Sequence, residues 1–488
     1  MIASICLFLL CAFLTWKINQ RNQHSLSLGE LSIAYSLKIA GGFGFYALYA
    51  FYYGNGTLVE DAGSFLREAD IINNTFSTNF DAYWSLMTNA EDCEDVIFSL
   101  FVEYDYSRYA HPTEVINSTR NIIKLISVLL LVTGGAWINV FILFGHLLLW
   151  SILVLFSNLR SKHGTLLKWS WILFFTPSFL LYSSSILKEV MGCIGLVFVL
   201  IAFVQGLSSK RSLVLIMIGL LIMLPFKPIW TLFCLSAGLM AGFVYVLLHK
   251  NWKWKSICLV ALGLLLISPL ANYGLKKISH KQFDFINIAE GGIYLASDEN
   301  LYRLERSDSI YLKKIGLLYT PIKELNVQVN PLGKKGDFIN GSLPAFLDTM
   351  TLTYSMDKPV SAFPLSRING EWFGLAKTSI EAIGNVWFRP FWSEQQSFVL
   401  KLGLFMENIF FLLSFVFILG FIFKARNLNF TNLFVLALIL VFTLAIGWVT
   451  PVSGAIIRYR IPIHLLLMIG LLLNFSNTKF KWTKNTFL

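Results

Sequence analysis

Six places along the chain put ionisable side chains where the surrounding sequence is apolar enough to make them costly. Glu60 and Asp61 form an adjacent acidic pair just beyond an apolar run, with Asp70 further along the same segment. Two neighbouring carboxylates near a bilayer surface can act as a general base toward a hydroxyl, or bridge a divalent ion. Lys188 and Glu189 follow Ser183-Ser-Ser-Ile-Leu between two apolar runs with almost no loop. Charges at that depth cost about 3 kcal/mol unless they pair or line a wet cavity. Lys227 stands immediately before Pro228, and Arg458-Tyr459-Arg460 precedes Pro462. Two arginines at i and i+2 can grip separate oxygens of one phosphate or pyrophosphate by charge-assisted bonds. Arg389, Trp392 and Glu394 precede a long apolar run that holds Glu407 about two turns in.

Each feature has a plainer reading. The acidic pair also suits a solvated loop, and Lys188 suits a tight hairpin from which it snorkels. Trp392 and its aromatic neighbours fit an interfacial belt, although aromatic faces also stack on sugar rings. Gly41-Gly42-Phe43-Gly44 has no strand before it and no Lys after it, so it is read as close helix packing and not as a phosphate loop. His146 and His464 stand alone on apolar runs and are expected to be hydrogen-bonded core residues. No serine-hydrolase elbow, zinc-protease motif or Walker sequence occurs.

The elements that must hold these residues follow from composition. Of 488 residues, 56% are hydrophobic and only 14% charged, which excludes an ordinary cytosolic enzyme. The apolar residues fall in blocks long enough to cross roughly 30 Å of hydrocarbon as helices. They predict spans near 1–16, 30–53, 136–157, 168–186, 190–207, 212–226, 229–248, 255–272, 399–423, 428–449 and 461–475. The expected fold is therefore an all-α polytopic membrane protein of about eleven transmembrane helices. The run 122–134, ending at Gly134 and Gly135, is read as a helix at or dipping into the interface. Five of the six cysteines fall inside apolar segments and read as packing residues.

Alternate connections between these spans carry fifteen Lys or Arg and no acidic residue. That asymmetry predicts them cytoplasmic, with the N-terminus outside and the C-terminus inside. The net charge of +11 thus belongs to membrane orientation and not to nucleic acid. Two large segments, 54–121 and 273–398, fall on the outer side. The first holds twelve Asp or Glu against three Arg and should carry interfacial helices. The second has mixed charge and should form a small ordered domain in which Leu301–Leu325 could include helix. The domains expected are 1–272 with spans one to eight, 273–398 as an extracytoplasmic domain, and 399–488 with the last three spans and a cytoplasmic tail.

The order of these motifs resembles the GT-C glycosyltransferases, in a bacterial branch related to the protein mannosyltransferases and the lipid A aminoarabinose transferase. What carries it is the acidic pair, the interfacial helix ending in Gly, Leu187-Lys188-Glu189, Lys227-Pro228, Pro390-Phe-Trp392-Ser-Glu394 and Arg458-Tyr459-Arg460-Ile-Pro462. The resemblance implies a sugar donor carried on a polyprenyl phosphate or pyrophosphate in the bilayer. It implies a glycan, lipid or protein acceptor arriving from outside the bacterial inner (cytoplasmic) membrane. Asp61 and Glu60 would then be the catalytic carboxylates, and Lys188, Lys227, Arg458, Arg460 and Arg389 would bind lipid phosphate. Glu189, Asp70, Glu394, Glu407, Tyr459 and Trp392 would support them. Members of the superfamily differ in metal use, so a divalent ion is the cofactor to be considered. Two features depart from the family pattern: an extra span precedes the first outer segment, and the large second segment lies between spans eight and nine.

An O-antigen or exopolysaccharide polymerase shares the topology and the paired arginines, and would depend on those arginines more than on Glu60 and Asp61. A lipid-linked sugar flippase or transporter would show inverted repeats and many deep charges. The sequence contains no internal repeat.

Overall fold

The computed structural model describes residues 2–22, 26–91, 93–101, 109, 117–163, 176–207, 209–248, 274–276, 278–297, 299–315, 318–331, 338–345, 350–359, 361–368, 372–394, 398–424 and 429–475. The expected span 255–272 and residues 168–175 of the expected span 168–186 lie outside these residues.

The helices in chain order are α1 (Ile2–Arg21), α2 (Leu28–Ala47), α3 (Glu60–Thr78), α4 (Phe80–Thr88), α5 (Cys93–Phe101), α6 (Ser118–Val132), α7 (Trp137–His163) and α8 (Pro177–Tyr182). They continue as α9 (Lys188–Gln205), α10 (Lys210–Phe226), α11 (Pro228–Leu248) and α12 (278–290). The last five are α13 (Trp372–Phe388), α14 (Phe398–Lys424), α15 (Phe430–Val449), α16 (Ser453–Tyr459) and α17 (Ile461–Phe475). Among the described residues six helices are long and apolar enough to cross a membrane, or up to seven if the bent pair α16–α17 is one span. Exposed Leu, Ile, Phe and Met along α1, α10, α11 and α14 present the apolar surface that a bilayer would cover. The chain is thus built as a helical membrane protein.

The expected all-α architecture does not hold. Residues 292–356 form a seven-stranded antiparallel sheet: β1 (Gly292–Ala296), β2 (Asn300–Leu304), β3 (Leu312–Ile315), β4 (Leu318–Pro321), β5 (Leu325–Pro331), β6 (Ile339–Leu343) and β7 (Met350–Met356). Its strand order is β3-β4-β7-β1-β2-β5-β6. The helix expected within Leu301–Leu325 is replaced by three of these strands and a single 3₁₀ turn, Arg306–Tyr311. Short period-two stretches decide this: Leu325, Val327 and Leu343 join Ile293, Leu295, Tyr302 and Leu304 in one small core, while Asn326, Gln328 and Asn340 alternate away from it.

The helical core is centred on α9, whose residues are almost all buried. It packs against α10 through glycines: a Cβ on Gly195 would meet Gly219 O at 2.6 Å, and one on Gly219 would meet Gly195 O at 2.5 Å. Backbone contact of this kind draws two helices together along their length. The Gly41–Gly44 stretch of α2 works in the same way, since a Cβ on Gly41 would meet Leu180 O at 2.7 Å. Run 122–134 is indeed helical, as α6, and ends where Gly134 and Gly135 take positive φ. Its buried face, Ile122, Ile123, Ile126 and Leu130, is joined in one apolar core with Phe65, Leu66, Ala69 and Ile72 of α3.

Candidate functional site

Four helix ends meet at one end of the bundle. Asp61 lies in the first turn of α3, Lys188 and Glu189 open α9, Lys227 closes α10, and Arg458 lies in the last turn of α16. Carboxylates at helix N-termini and cations at helix C-termini each complement the helix dipole, so four of these five charges sit where their own helices favour them. Lys188 is the exception, a cation at a positive helix end.

Glu189 is the floor of this site, with a side chain 0% exposed. Its Oε1 accepts from Lys227 Nζ at 2.8 Å, and from Arg458 Nη2 and Nε at 3.0 and 3.2 Å. Arg458 then reaches outward with Nη1 to Asp61 Oδ2 at 2.5 Å. Asp61, Lys227 and Arg458 keep 20%, 16% and 15% of their side-chain surface, which leaves the rim of the cluster reachable. Lys188 donates to Thr119 Oγ1 at 3.0 Å and Ser118 Oγ at 3.4 Å, at the start of α6, and not to a carboxylate. Asn121 of the same helix donates to Pro225 O at 2.9 Å, which ties α6 to the end of α10.

Aromatic rings wall the cluster. Lys227 lies 5.4 Å from the Tyr459 ring and 5.8 Å from that of Trp230; Arg458 lies 5.3 Å from Tyr459; Lys188 lies 5.7 Å from Phe65. These cation–π distances lower the cost of holding charge away from bulk water. Gly192 makes room for the arrangement, since a Cβ there would strike the Trp230 ring at 2.5 Å. Tyr182 hydrogen-bonds Tyr49 at 3.3 Å behind the cluster.

Glu60 adopts φ 60° and is exposed, whereas Asp61 is drawn toward Arg458. A left-handed backbone at a non-glycine residue costs about 1–2 kcal/mol, and here it starts α3, whose Gly63 lets the first turn close against Leu58 O. Asp70 sits nine residues down α3, about 13 Å along the helix axis from Asp61, and is outside the cluster.

The expectation that Arg458 and Arg460 grip one phosphate together is not met. Arg460 caps α16 and faces the other way, 2% exposed, with Nη1 donating to Asn408 Oδ1 at 2.7 Å and Val386 O at 3.2 Å. Consecutive turns of a short helix cannot aim side chains two apart at one point, because they lie about 200° apart around its axis. Arg460 belongs instead to a second, buried polar group. There Ser178 donates to Glu407, His464 Nδ1 lies 3.7 Å from Glu407 Oε1, and Thr176 Oγ1 lies 2.7 Å from His464 Nε2. Glu407 Oε2 and Arg460 Nε and Nη2 are buried there without hydrogen-bond partners among the described residues. His464 and His146 are both buried and hydrogen-bonded as expected, His464 to Thr176 within this polar group and His146 within its own helix, to Ile142 O at 2.6 Å.

Arg389 and Glu394 pair with each other, and Arg389 also donates to Asn385 Oδ1 at 2.9 Å and lies 3.6 Å from the Phe363 ring. Both are part of a local turn and not of the cluster. Trp392 is largely exposed among Phe398 and Phe405, as a residue at an apolar–polar boundary would be.

Sequence reading passed over Lys38. It is buried on α2 and donates to Ser183 Oγ at 2.5 Å and Ser183 O at 3.2 Å, pinning the Ser183–Leu187 turn from which α9 starts. The signal was present: a single Lys inside an apolar helix needs a partner. Glu68 was also missed; it accepts from Tyr109 N at 2.6 Å and holds the first acidic segment together.

Among the described residues no three His, Cys, Asp or Glu side chains come together as a metal site. Asp61, the carboxylate best placed to hold an ion, is engaged by a guanidinium. Comparison of the chain with models of protein families, with curated proteins and with solved structures finds no match.

Proposed function

We propose that the protein is an integral membrane glycosyltransferase that moves a sugar from a polyprenyl phosphate or pyrophosphate to an acceptor hydroxyl during cell-envelope glycan assembly. In this reading the cluster faces outward from a bacterial cytoplasmic membrane. The observation that carries it is the convergence of Lys188, Lys227 and Arg458 from three separate helix ends, with Asp61 at the rim. Among the described residues of that cluster three cations stand against two carboxylates, Asp61 and Glu189. A lipid-linked phosphate supplies the missing negative charge, and the partly exposed rim gives it access.

The chemistry then follows from the bonds. An entering phosphate competes with Asp61 for Arg458 and takes Lys188 from its hydroxyl partners. Asp61, released, accepts the proton of the acceptor hydroxyl as that oxygen attacks the anomeric carbon. The bond between the anomeric carbon and the phosphate oxygen breaks, and its electron pair leaves with the carrier phosphate. Lys188, Lys227 and Arg458 hold the developing charge in a site partly shielded from water, where such stabilisation is strongest. Glu189 holds two of the cations in place and stays ionised between them.

The test is sugar transfer from radiolabelled polyprenyl-linked donors in membranes containing wild-type protein or Asp61→Asn at matched protein levels. A general base contributes about 10²–10⁴-fold, so transfer should fall at least about 100-fold. Unchanged transfer would remove Asp61 from the reaction.

A second reading, polymerisation of lipid-linked repeats, is favoured by one observation: Arg458, not Asp61, is the hub, bonded to both carboxylates. In that case Arg458→Gln abolishes chain extension while Asp61→Asn retains it, and the product is a ladder of lengths.

A further inference from the structure

A cleft of about 660 Å³ lies on the sheet, away from the ionic cluster. Its volume falls within the rough 300–1,000 Å³ range of small-molecule sites. Register builds one wall: Arg303 of β2 pairs with Gln328 of β5, which pairs with Asn340 of β6. Because side chains two apart share a face, Asn326 adds a further amide beside Gln328. Arg303 Nη1 donates to Gln328 Oε1 at 3.1 Å, which fixes that amide with its nitrogen free to donate elsewhere. Asn326 and Asn340 are exposed.

Among the described residues the charges along the cleft cancel. Arg303 pairs with Glu290 and Arg306 with Asp357, while Glu305 and Lys358 complete three acids against three bases. A cleft of this kind offers no net field to an anion or a cation. Gly291 and Gly292, at φ 69° and 115°, line its edge, packed against the Lys358 and Leu304 backbone. A surface that combines amides able both to donate and accept with paired ions matches a ligand whose groups also both donate and accept and which carries no charge. Carbohydrate hydroxyls have that property.

We infer that this sheet cleft binds a neutral oligosaccharide, through the amide row Asn326, Gln328 and Asn340. That the bound glycan is the acceptor rests on the transferase reading above; the binding does not. The sheet domain is tied to the bundle beside the cluster: Gln282 Nε2 of α12 donates to Trp448 O at 2.7 Å, and Ser453 N donates to Ser361 O at 3.0 Å. A glycan held on the sheet would therefore stand on the side of the bundle where Arg458 lies.

The experiment uses the full chain in lipid nanodiscs and fluorescently labelled hexasaccharides: cello-, malto-, xylo- and chitohexaose as neutral probes, and hexagalacturonate as the anionic one. The expected result is binding of at least one neutral probe, with hexagalacturonate at least tenfold weaker. Gln328→Leu with Asn340→Leu should weaken that binding at least tenfold, and Gly238→Ala, remote from both sites, should leave it unchanged. The single variant Asn326→Ala, on an exposed position, should weaken it as well should the double variant not fold. Absence of binding by every neutral probe, preference for hexagalacturonate, or equal binding by a folded amide variant overturns the inference. Because binding is read without transfer, these outcomes are separate from the Asp61→Asn transfer test.

Discussion

Arg458 Nη1 lies 2.5 Å from Asp61 Oδ2 although 397 positions separate the two in the chain. The same guanidinium donates to Glu189, so one side chain from the penultimate helix ties together the first turns of α3 and α9. The contact is the resting state of the proposed site, and a phosphate would have to replace Asp61 on that arginine.

Arg458→Lys keeps the charge but loses the fork that reaches two carboxylates at once. Transfer is expected to fall about 10–100-fold in the lysine variant and further in Arg458→Gln, with protein levels close to wild type for lysine. The measurement is the initial rate of transfer at several donor concentrations. Equal rates for arginine and lysine would show that the bidentate geometry has no part in the reaction.

Glu189→Gln removes the shared counter-charge of Lys227 and Arg458. Taking one partner from a buried ion pair costs about 3–5 kcal/mol because the remaining charge stays buried. Thermal unfolding in detergent should show a marked loss for Glu189→Gln and a smaller one for Asp61→Asn, whose side chain is partly exposed. The reverse order would place the structural weight on Asp61.

Gly195→Val should part α9 from α10. Its Cβ would meet Gly219 O at 2.6 Å, and that atom is backbone with no flexible end to move aside. Overpacking of this sort costs about 1–3 kcal/mol. Separation of the two helices also draws Lys227 off Glu189, so transfer should fall together with stability. Gly238→Ala, where the nearest atom to a new Cβ is 3.9 Å away, is the matched control and should change neither.

Lys124 on α6 provides a pH-dependent prediction. It donates to Asn89 Oδ1 at 2.6 Å and Met87 O at 3.1 Å, and burial, with Arg120 adding to it, pulls its amine from the ordinary 10.5 down to about 8. Between those two values the unfolded chain binds more protons than the folded one, so stability rises with pH across that window. Below about 8 the penalty of burying the charge is present in full. Relative to Lys124→Met, the wild type should therefore gain stability as pH rises from 8 to 10. A flat difference in denaturation midpoints over that range would contradict the shift.

Lys188, Lys227, Asp61 and Arg458 were legible as site candidates because each is a charge placed against apolar sequence, where water cannot satisfy it. Lys38 carried the same mark and was overlooked because no turn stands next to it in sequence; its partner, Ser183, is 145 positions away. Arg389 and Arg460 carried the mark too, yet they turn to protein partners away from the cluster, Arg389 to nearby Glu394 and Arg460 to Asn408. A charge in an apolar run signals a partner, and sequence does not say whether that partner is a ligand or a neighbour. The sheet was missed for a different reason. Its strands are four to seven residues long, too short for alternation to stand out, and their register depends on pairing between segments far apart in the chain.

By itself the sequence determined that this chain is a bundle of apolar helices with charged residues at particular helix ends, because hydrophobic run length and the cost of unpaired charge are local properties. Only the tertiary structure decided which of those ends meet. Gly195 against Gly219 and Gly41 against Leu180 set how closely the helices approach, and the short α16 turned Arg458 toward Asp61 and Glu189 while sending Arg460 toward Asn408. Those choices depend on packing between distant segments, and no single stretch of sequence contains them.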